Sequence, residues 1–264
     1  MTMTSFPTPR TDARSFVLIG GTSVLGRALL ERLIFLSGGK GTAVLAGRES
    51  PGLAAAADEI AGRFPEVSVS TVSGSIVDAA GIESLSGRIL SSAVPDFLII
   101  ALGSPADEKA AEDNPRVLSE KLWINASAPV IFLEIFFRRM RDAGGGRMAL
   151  FGSVASDRIR RGNYTYGAAK SLVSSYAEGF SEKARGSGVT LTLIKPGPAD
   201  TPLGRAAHPG RLGGMFLADP EAVARRAAGA VLAGRRTVYA PFWWRPAMAA
   251  LRLVPGRILS LFSE

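Results

Sequence analysis

The sequence predicts an α/β chain: a doubly wound, parallel, seven-stranded sheet with helices on both faces and a C-terminal helical tail. Three observations predict it. Short apolar runs recur at regular intervals, most of them are continuously apolar, and helix-length segments separate them. A strand covered on both faces has no solvent side, so it needs no polar alternation.

The runs fall at 16–19, 43–46, 67–72, 97–101, 147–151, 189–194 and 237–239, and the helical segments at 24–37, 52–64, 78–91, 119–142, 165–185 and 219–233. Ligands of such sheets lie at the carboxyl ends of the strands. One domain is expected over 15–240, preceded by a flexible stretch, 1–14, and followed by an apolar and basic tail, 241–264. Residues 1–14 are short and polar and contain proline, which predicts no signal peptide and a cytoplasmic protein.

Composition narrows the chemistry. Of 264 residues, 47% are apolar and 20% charged, enough for a sizeable core. Zero cysteines exclude thiol nucleophiles, thiolate metal sites and disulfides, and the single histidine, His208, excludes a multi-histidine metal centre. His208 reads as a polar residue of a Gly/Pro-rich loop. The net charge of +8 favours an anionic partner. No strip of aromatic and basic residues supports nucleic acid.

The first strand runs into Gly20-Gly21-Thr22-Ser23-Val24-Leu25-Gly26, and an amphipathic helix follows at once. Glycines there permit a tight turn and let backbone N–H groups approach a pyrophosphate at the helix N-terminus. An ordinary strand-to-helix turn is the alternative. The second strand ends at Gly47-Arg48, with no carboxylate to accept a ribose hydroxyl, whereas Arg48 suits a 2′-phosphate. NADP(H) is therefore the expected cofactor. A solvated loop arginine is the plainer reading.

After the fifth strand stands Ser153, and beyond it Tyr166-Gly167-Ala168-Ala169-Lys170. Positions four apart share one face of a helix, so phenol and ammonium should project into one crevice. The ammonium is expected to lower the phenol pKa toward neutrality and make Tyr166 a proton donor or acceptor. Ser153 would hold a substrate carbonyl. A surface helical pair and a helix-capping serine are the alternatives.

These motifs resemble the classical short-chain dehydrogenase/reductase family over roughly the first 240 residues. The resemblance implies a Rossmann-type sheet and a nicotinamide-dependent oxidoreductase, with Asn125, Ser153, Tyr166 and Lys170 as the catalytic set. It implies that Asn125, in Trp123-Ile124-Asn125-Ala126, holds a water in a proton relay. It further implies cofactor contacts from Gly20, Thr22, Ser23, Val24, Leu25 and Gly26, from Ser75 and Ile76 near the adenine, and from Ala101 and Gly103. Pro196, Gly197 and Ala199 would meet the nicotinamide side, and Thr201 the pyrophosphate. Substrate would lie beneath 202–216. Val24 replaces a glycine of the usual loop, Ser75 replaces an aspartate, and Ile100-Ala101-Leu102-Gly103 replaces Asn-Asn-Ala-Gly.

Within the family, Gly20-Gly21-Thr22-Ser23, the run from Arg158 to Tyr164, and the stretches 238–241 and 254–258 resemble reductases of a 2-keto-pentose carried on a polyprenyl phosphate. That resemblance implies a role in cell-wall biogenesis, NAD(H) as cofactor, a flavin oxidase partner and a homo-oligomer. Arg158, Arg160 and Arg161 would bind a substrate phosphate or form a solvated turn.

The tail carries Phe242, Trp243, Trp244, Leu251, Leu253, Ile258, Leu259, Leu261 and Phe262, interrupted by Arg245, Arg252 and Arg257. Three arginines and Pro255-Gly256 argue against a spanning helix. Arg245 and Arg252 should share a helical face on an anionic membrane surface. Packing on its own domain or on a second subunit is the competing expectation.

Overall fold

The computed structural model describes residues 13–104, 108–207 and 217–255. Its seven strands are β1 (Arg14–Ile19), β2 (Gly41–Gly47), β3 (Val67–Ser73), β4 (Phe97–Ile100), β5 (Gly146–Phe151), β6 (Val189–Pro196) and β7 (Thr237–Ala240). All pair in parallel, in the order β3-β2-β1-β4-β5-β6-β7. The order reverses between β1 and β4, and a crevice opens at such a switch point.

Alternate residues of each strand enter different cores. Val17 and Ile19 join Leu98, Ile100, Met148 and Leu150 beneath α3 (Ala79–Leu90), α6 (Ala128–Asp142) and α7 (Tyr164–Lys183). Phe16 and Leu18 join Leu45, Phe97 and Ile99 beneath α1 (Val24–Leu36), α2 (Pro51–Arg63) and α9 (Pro220–Leu232). Phe16 and Phe97 stack with ring centroids 5.1 Å apart. Where helices cover both faces, at β4 and the carboxyl halves of β1 and β5, the strands are continuously apolar, whereas edge strand β3 leaves Ser68, Ser70 and Thr71 exposed.

One predicted helix is subdivided. In place of a single helix over 119–142, the chain forms α5 (Pro115–Leu122), a π-helical turn (Trp123–Ser127) and α6, and a separate short helix, α4 (Glu108–Asp113), precedes them. Pro129 gives the reason: it has no N–H to donate to the carbonyl four residues back, that of Asn125. The Ala128 N–H reaches Trp123 O instead, one residue further than an α-helix allows.

Among the described residues two further helices follow, the short α8 (Pro202–Ala207) and the tail helix α10 (Trp244–Leu253). His208, most of the expected substrate-covering stretch, residues 1–12 of the N-terminal stretch expected to be flexible, and Arg257 with its apolar neighbours lie outside the described residues.

Candidate active site

The crevice begins at the turn after β1. Gly20 has φ +92°, and a Cβ there would lie 2.7 Å from Ala101 O, so the position requires glycine. A Cβ on Gly26 would lie 2.7 Å from the Ala101 Cβ, which lets α1 start hard against the end of β4. Ser23 caps α1, its hydroxyl accepting from Gly26 N at 3.2 Å, and the first turn holds no acidic residue. The positive end of the helix dipole therefore faces the crevice without a competing carboxylate. Val24 and Leu25, partly buried, follow the cap; Thr22 and Arg48 are exposed at the rim.

Ser75 is exposed and Ile76 buried beneath it. The Ile76 carbonyl accepts the Trp123 indole N–H at 2.7 Å, tying this corner to the π-turn. The glycine turn, the uncompensated helix N-terminus and the exposed Arg48 fit a phosphorylated dinucleotide.

Opposite this wall stand Ser153 and α7. Tyr166 is partly buried and hydrogen-bonds to Ser153. Lys170 is fully buried, with Nζ 5.8 Å from the Tyr166 ring centroid and donating to Leu102 O at 3.2 Å and Phe151 O at 3.1 Å. Serine, phenol and ammonium thus share one crevice, as their spacing predicts. The direction of the phenol shift is corrected: desolvation raises Tyr166 above its ordinary value, outweighing the Ser153 hydrogen bond that lowers it. Burial also pulls the Lys170 ammonium down to about 8. The helix spacing anticipated the charge but not the cost of withdrawing both groups from water.

Asn125 is buried on the π-turn, its Oδ1 accepting from Ser104 N at 3.0 Å and its Nδ2 donating to Lys121 O at 3.0 Å. Lys121 Nζ in turn donates to Ser104 Oγ at 2.9 Å. Lys170 and Asn125 therefore meet the same loop, 101–104, from two sides. Gly103 faces this junction, where an added Cβ would lie 3.7 Å from Asn125 Oδ1 and 4.0 Å from Leu203 of α8.

Helix α7 is held from outside its own sequence. Asn163, at its N-cap position, makes no side-chain cap hydrogen bond; instead the Glu108 carboxylate accepts from Thr165 N at 3.1 and 3.2 Å. Pro196, Gly197 and Ala199 are buried beyond β6, with Gly197 N donating to Ala240 O at 3.0 Å. Thr201 Oγ1 accepts from Gly204 N at 3.0 Å and is occupied capping α8.

The arginines separate. Arg160 and Arg161 are exposed, while Arg158 turns toward the tail, donating to Val254 O at 2.8 Å. Arg252 also turns inward: its guanidinium reaches Asp157 Oδ1 at 2.6 Å and its Nε reaches Asp157 O at 3.1 Å. Arg245 and Arg252 therefore do not act together as an outward basic face; the buried carboxylate claims one of them. The ties made by Asp157, Lys195, Glu108 and Trp244 escape the sequence reading. The available signal was Lys195 itself, since a lysine inside the buried run of β6 demands an anion.

The short-chain dehydrogenase family model matches residues 14–211. The chain belongs to that family. An uncharacterized oxidoreductase of Mycobacterium tuberculosis is 33% identical over 248 residues, covering 93% of this chain and 95% of the relative. Levodione reductase superposes with a TM-score of 0.76 at 21% identity, covering 87% and 95% of the two chains. An actinorhodin polyketide ketoreductase with NADPH superposes at 0.75 and 17%, covering 88% and 97%. This family member is a nicotinamide-dependent oxidoreductase.

Proposed function

We propose that the chain reduces a ketone, taking hydride from NADPH held between the β1 turn and the end of β4. The observation that carries the reading is the partly buried Tyr166, hydrogen-bonded to Ser153 and backed by the Lys170 ammonium. Gly20, Ser23 and Gly26 would hold the pyrophosphate and Arg48 the 2′-phosphate. The bound dinucleotide supplies the hydride.

The residues of the chain do the rest. Ser153 and Tyr166 orient the carbonyl oxygen between two hydroxyls. Desolvation keeps the phenol protonated at neutral pH, the form needed to donate to that oxygen as it gains charge. Lys170 then lies beside the phenolate that remains, and Asn125 holds the water through which Tyr166 regains its proton.

The finer reading of the substrate is the 2-keto group of a polyprenyl-phosphate pentose, the substrate of decaprenylphosphoryl-2-keto-β-D-erythro-pentose reductases, with a flavin oxidase upstream. The exposed Arg160 and Arg161 beside the site suit its phosphate, and Phe242 and Trp243, at 63% and 44% exposure, suit a peripheral membrane contact of a cytoplasmic homo-oligomer. Among the described residues no helix is long and apolar enough to cross a membrane.

Steady-state assays of the full chain with NADPH and NADH, against oxidised polyprenylphosphoryl pentose and a panel of soluble ketones, test both levels. Turnover of the lipid-linked sugar alone supports the finer reading. Turnover of soluble ketones alone leaves the reductase and removes the sugar. Cofactor binding with no turnover anywhere would indicate a nucleotide sensor instead.

A further inference from the structure

Asp157 lies four residues after Ser153, and its side chain is entirely removed from solvent. One of its oxygens, Oδ1, accepts from two cations: Lys195 Nζ at 2.8 Å and the Arg252 guanidinium at 2.6 Å. Tyr239, on β7, also hydrogen-bonds to Asp157, and burial with that bond pushes the phenol up to about 12. Three distant segments thus close on one carboxylate: the Ser153 turn, the strand leading into Pro196-Gly197, and the tail helix.

Each segment leads directly into the site. The Ser153 carbonyl accepts from Ser156 N at 3.2 Å and Ser156 Oγ at 2.7 Å, and Asp157 N donates to Val154 O at 3.0 Å, so the turn from serine to aspartate moves as one piece. Lys195 precedes Pro196-Gly197 by one residue. On the tail, the Trp244 indole lies against Gly197, where an added Cβ would fall 1.9 Å from Nε1. The tail therefore touches both sides of the crevice, through Arg252 and Val254 on one and Trp244 on the other.

The partners differ in exposure. Lys195 is 8% exposed and already neutralises the buried carboxylate, whereas the Arg252 side chain is 57% exposed. A buried carboxylate with one buried cation is a complete pair. The second cation, reaching in from solvent, adds attachment of the tail.

We propose that Asp157 is a positioning residue and Arg252 its latch: docking of α10 through this pair sets the placement of Ser153 and of the Pro196-Gly197 loop for the reaction. The inference rests on the reductase reading for its kinetic part only.

The test uses the full chain with R252Q and R252K, and D157N as the harsher variant. Hydrogen exchange is followed in peptides spanning 153–158 and 195–199, and kcat and KM are measured with NADPH and the best ketone of the panel. R252Q should quicken exchange in both segments and lower kcat by about tenfold to a hundredfold, with the KM for NADPH within about twofold of wild type. R252K, which keeps the charge, should recover much of the loss.

Unchanged exchange in both segments would overturn the proposal even if no ketone is turned over, a result that would separately remove the reductase reading. Quickened exchange with kcat within about twofold of wild type would also overturn it, reducing the pair to a structural tie. If D157N fails to fold, the Arg252 variants still decide.

Discussion

Two junctions at the carboxyl ends of strands flank the crevice, and they are built by opposite means. The turn after β1 works by omission: Gly20 and Gly26 lack the Cβ atoms that would strike Ala101. The junction around Asp157 works by congestion, with lysine, arginine and tyrosine gathered on one carboxylate. The first spends the N–H groups of Gly20, Gly21 and Ser23 on holding the turn and so aims the α1 N-terminus, with no acidic side chain in its first turn, at the crevice. The second consumes its own charges internally, fixing geometry and offering little to a ligand. On the proposed function, cofactor grip and substrate placement would fall to different kinds of structure.

The largest test of this division falls where the two walls meet. Tyr166→Phe keeps the ring but removes the proton, and kcat should fall by about a hundredfold to ten-thousandfold while NADPH affinity stays near wild type. Retained activity in steady-state assays would relocate proton transfer to another group.

Next in size is the titration of Lys170. Its folded pKa, about 8, lies below its ordinary 10.5, so the folded state binds fewer protons than the unfolded chain between those values. Below about pH 8 the penalty for burying the charge is fully present; it disappears as pH rises toward 10.5. The unfolding free energy of the wild type, from denaturant titration, should therefore gain about 3 kcal/mol relative to Lys170→Met over that window. Parallel pH curves for the two proteins would contradict a buried, charged lysine.

The glycine turn offers the third test. Gly20→Ala forces a Cβ to within 2.7 Å of a carbonyl oxygen at a left-handed φ, and should cost about 1–3 kcal/mol in unfolding free energy and weaken NADPH binding. An unaltered melting curve would mean that the wall at Ala101 yields.

The smallest effect is expected at the rim. Arg48→Ala should raise the NADPH Kd about tenfold and leave that for NADH unchanged, by fluorescence titration. Equal losses for both cofactors would remove the 2′-phosphate contact.

The same contrast explains what could be read before the fold was seen. The central strands were visible because they are buried on both sides and so are written in apolar letters, whereas edge strand β3, with exposed Ser68, Ser70 and Thr71, is only half apolar. Ser153, Tyr166 and Lys170 were visible because their spacing along one strand end and one helix is local. The Asp157 junction was not, because positions 157, 195 and 252 become neighbours only when the sheet and tail fold together. Glu108 was missed likewise, since it caps a helix from 57 residues away. The break at Asn125 was within reach: Pro129, four residues later, marks it. The phenol shift needed the depth of the crevice, which no spacing reports.

The tryptophans have a further use. The chain has three; Trp123 donates to Ile76 O beside the expected adenine site, Trp244 rests on Gly197, and Trp243 stacks on Trp244 with centroids 4.4 Å apart. On the proposed function, every indole would border the nucleotide cleft or stack on one that does. Reduced nicotinamide absorbs where indoles emit, so unlabelled protein reports its own loading as quenched ultraviolet light.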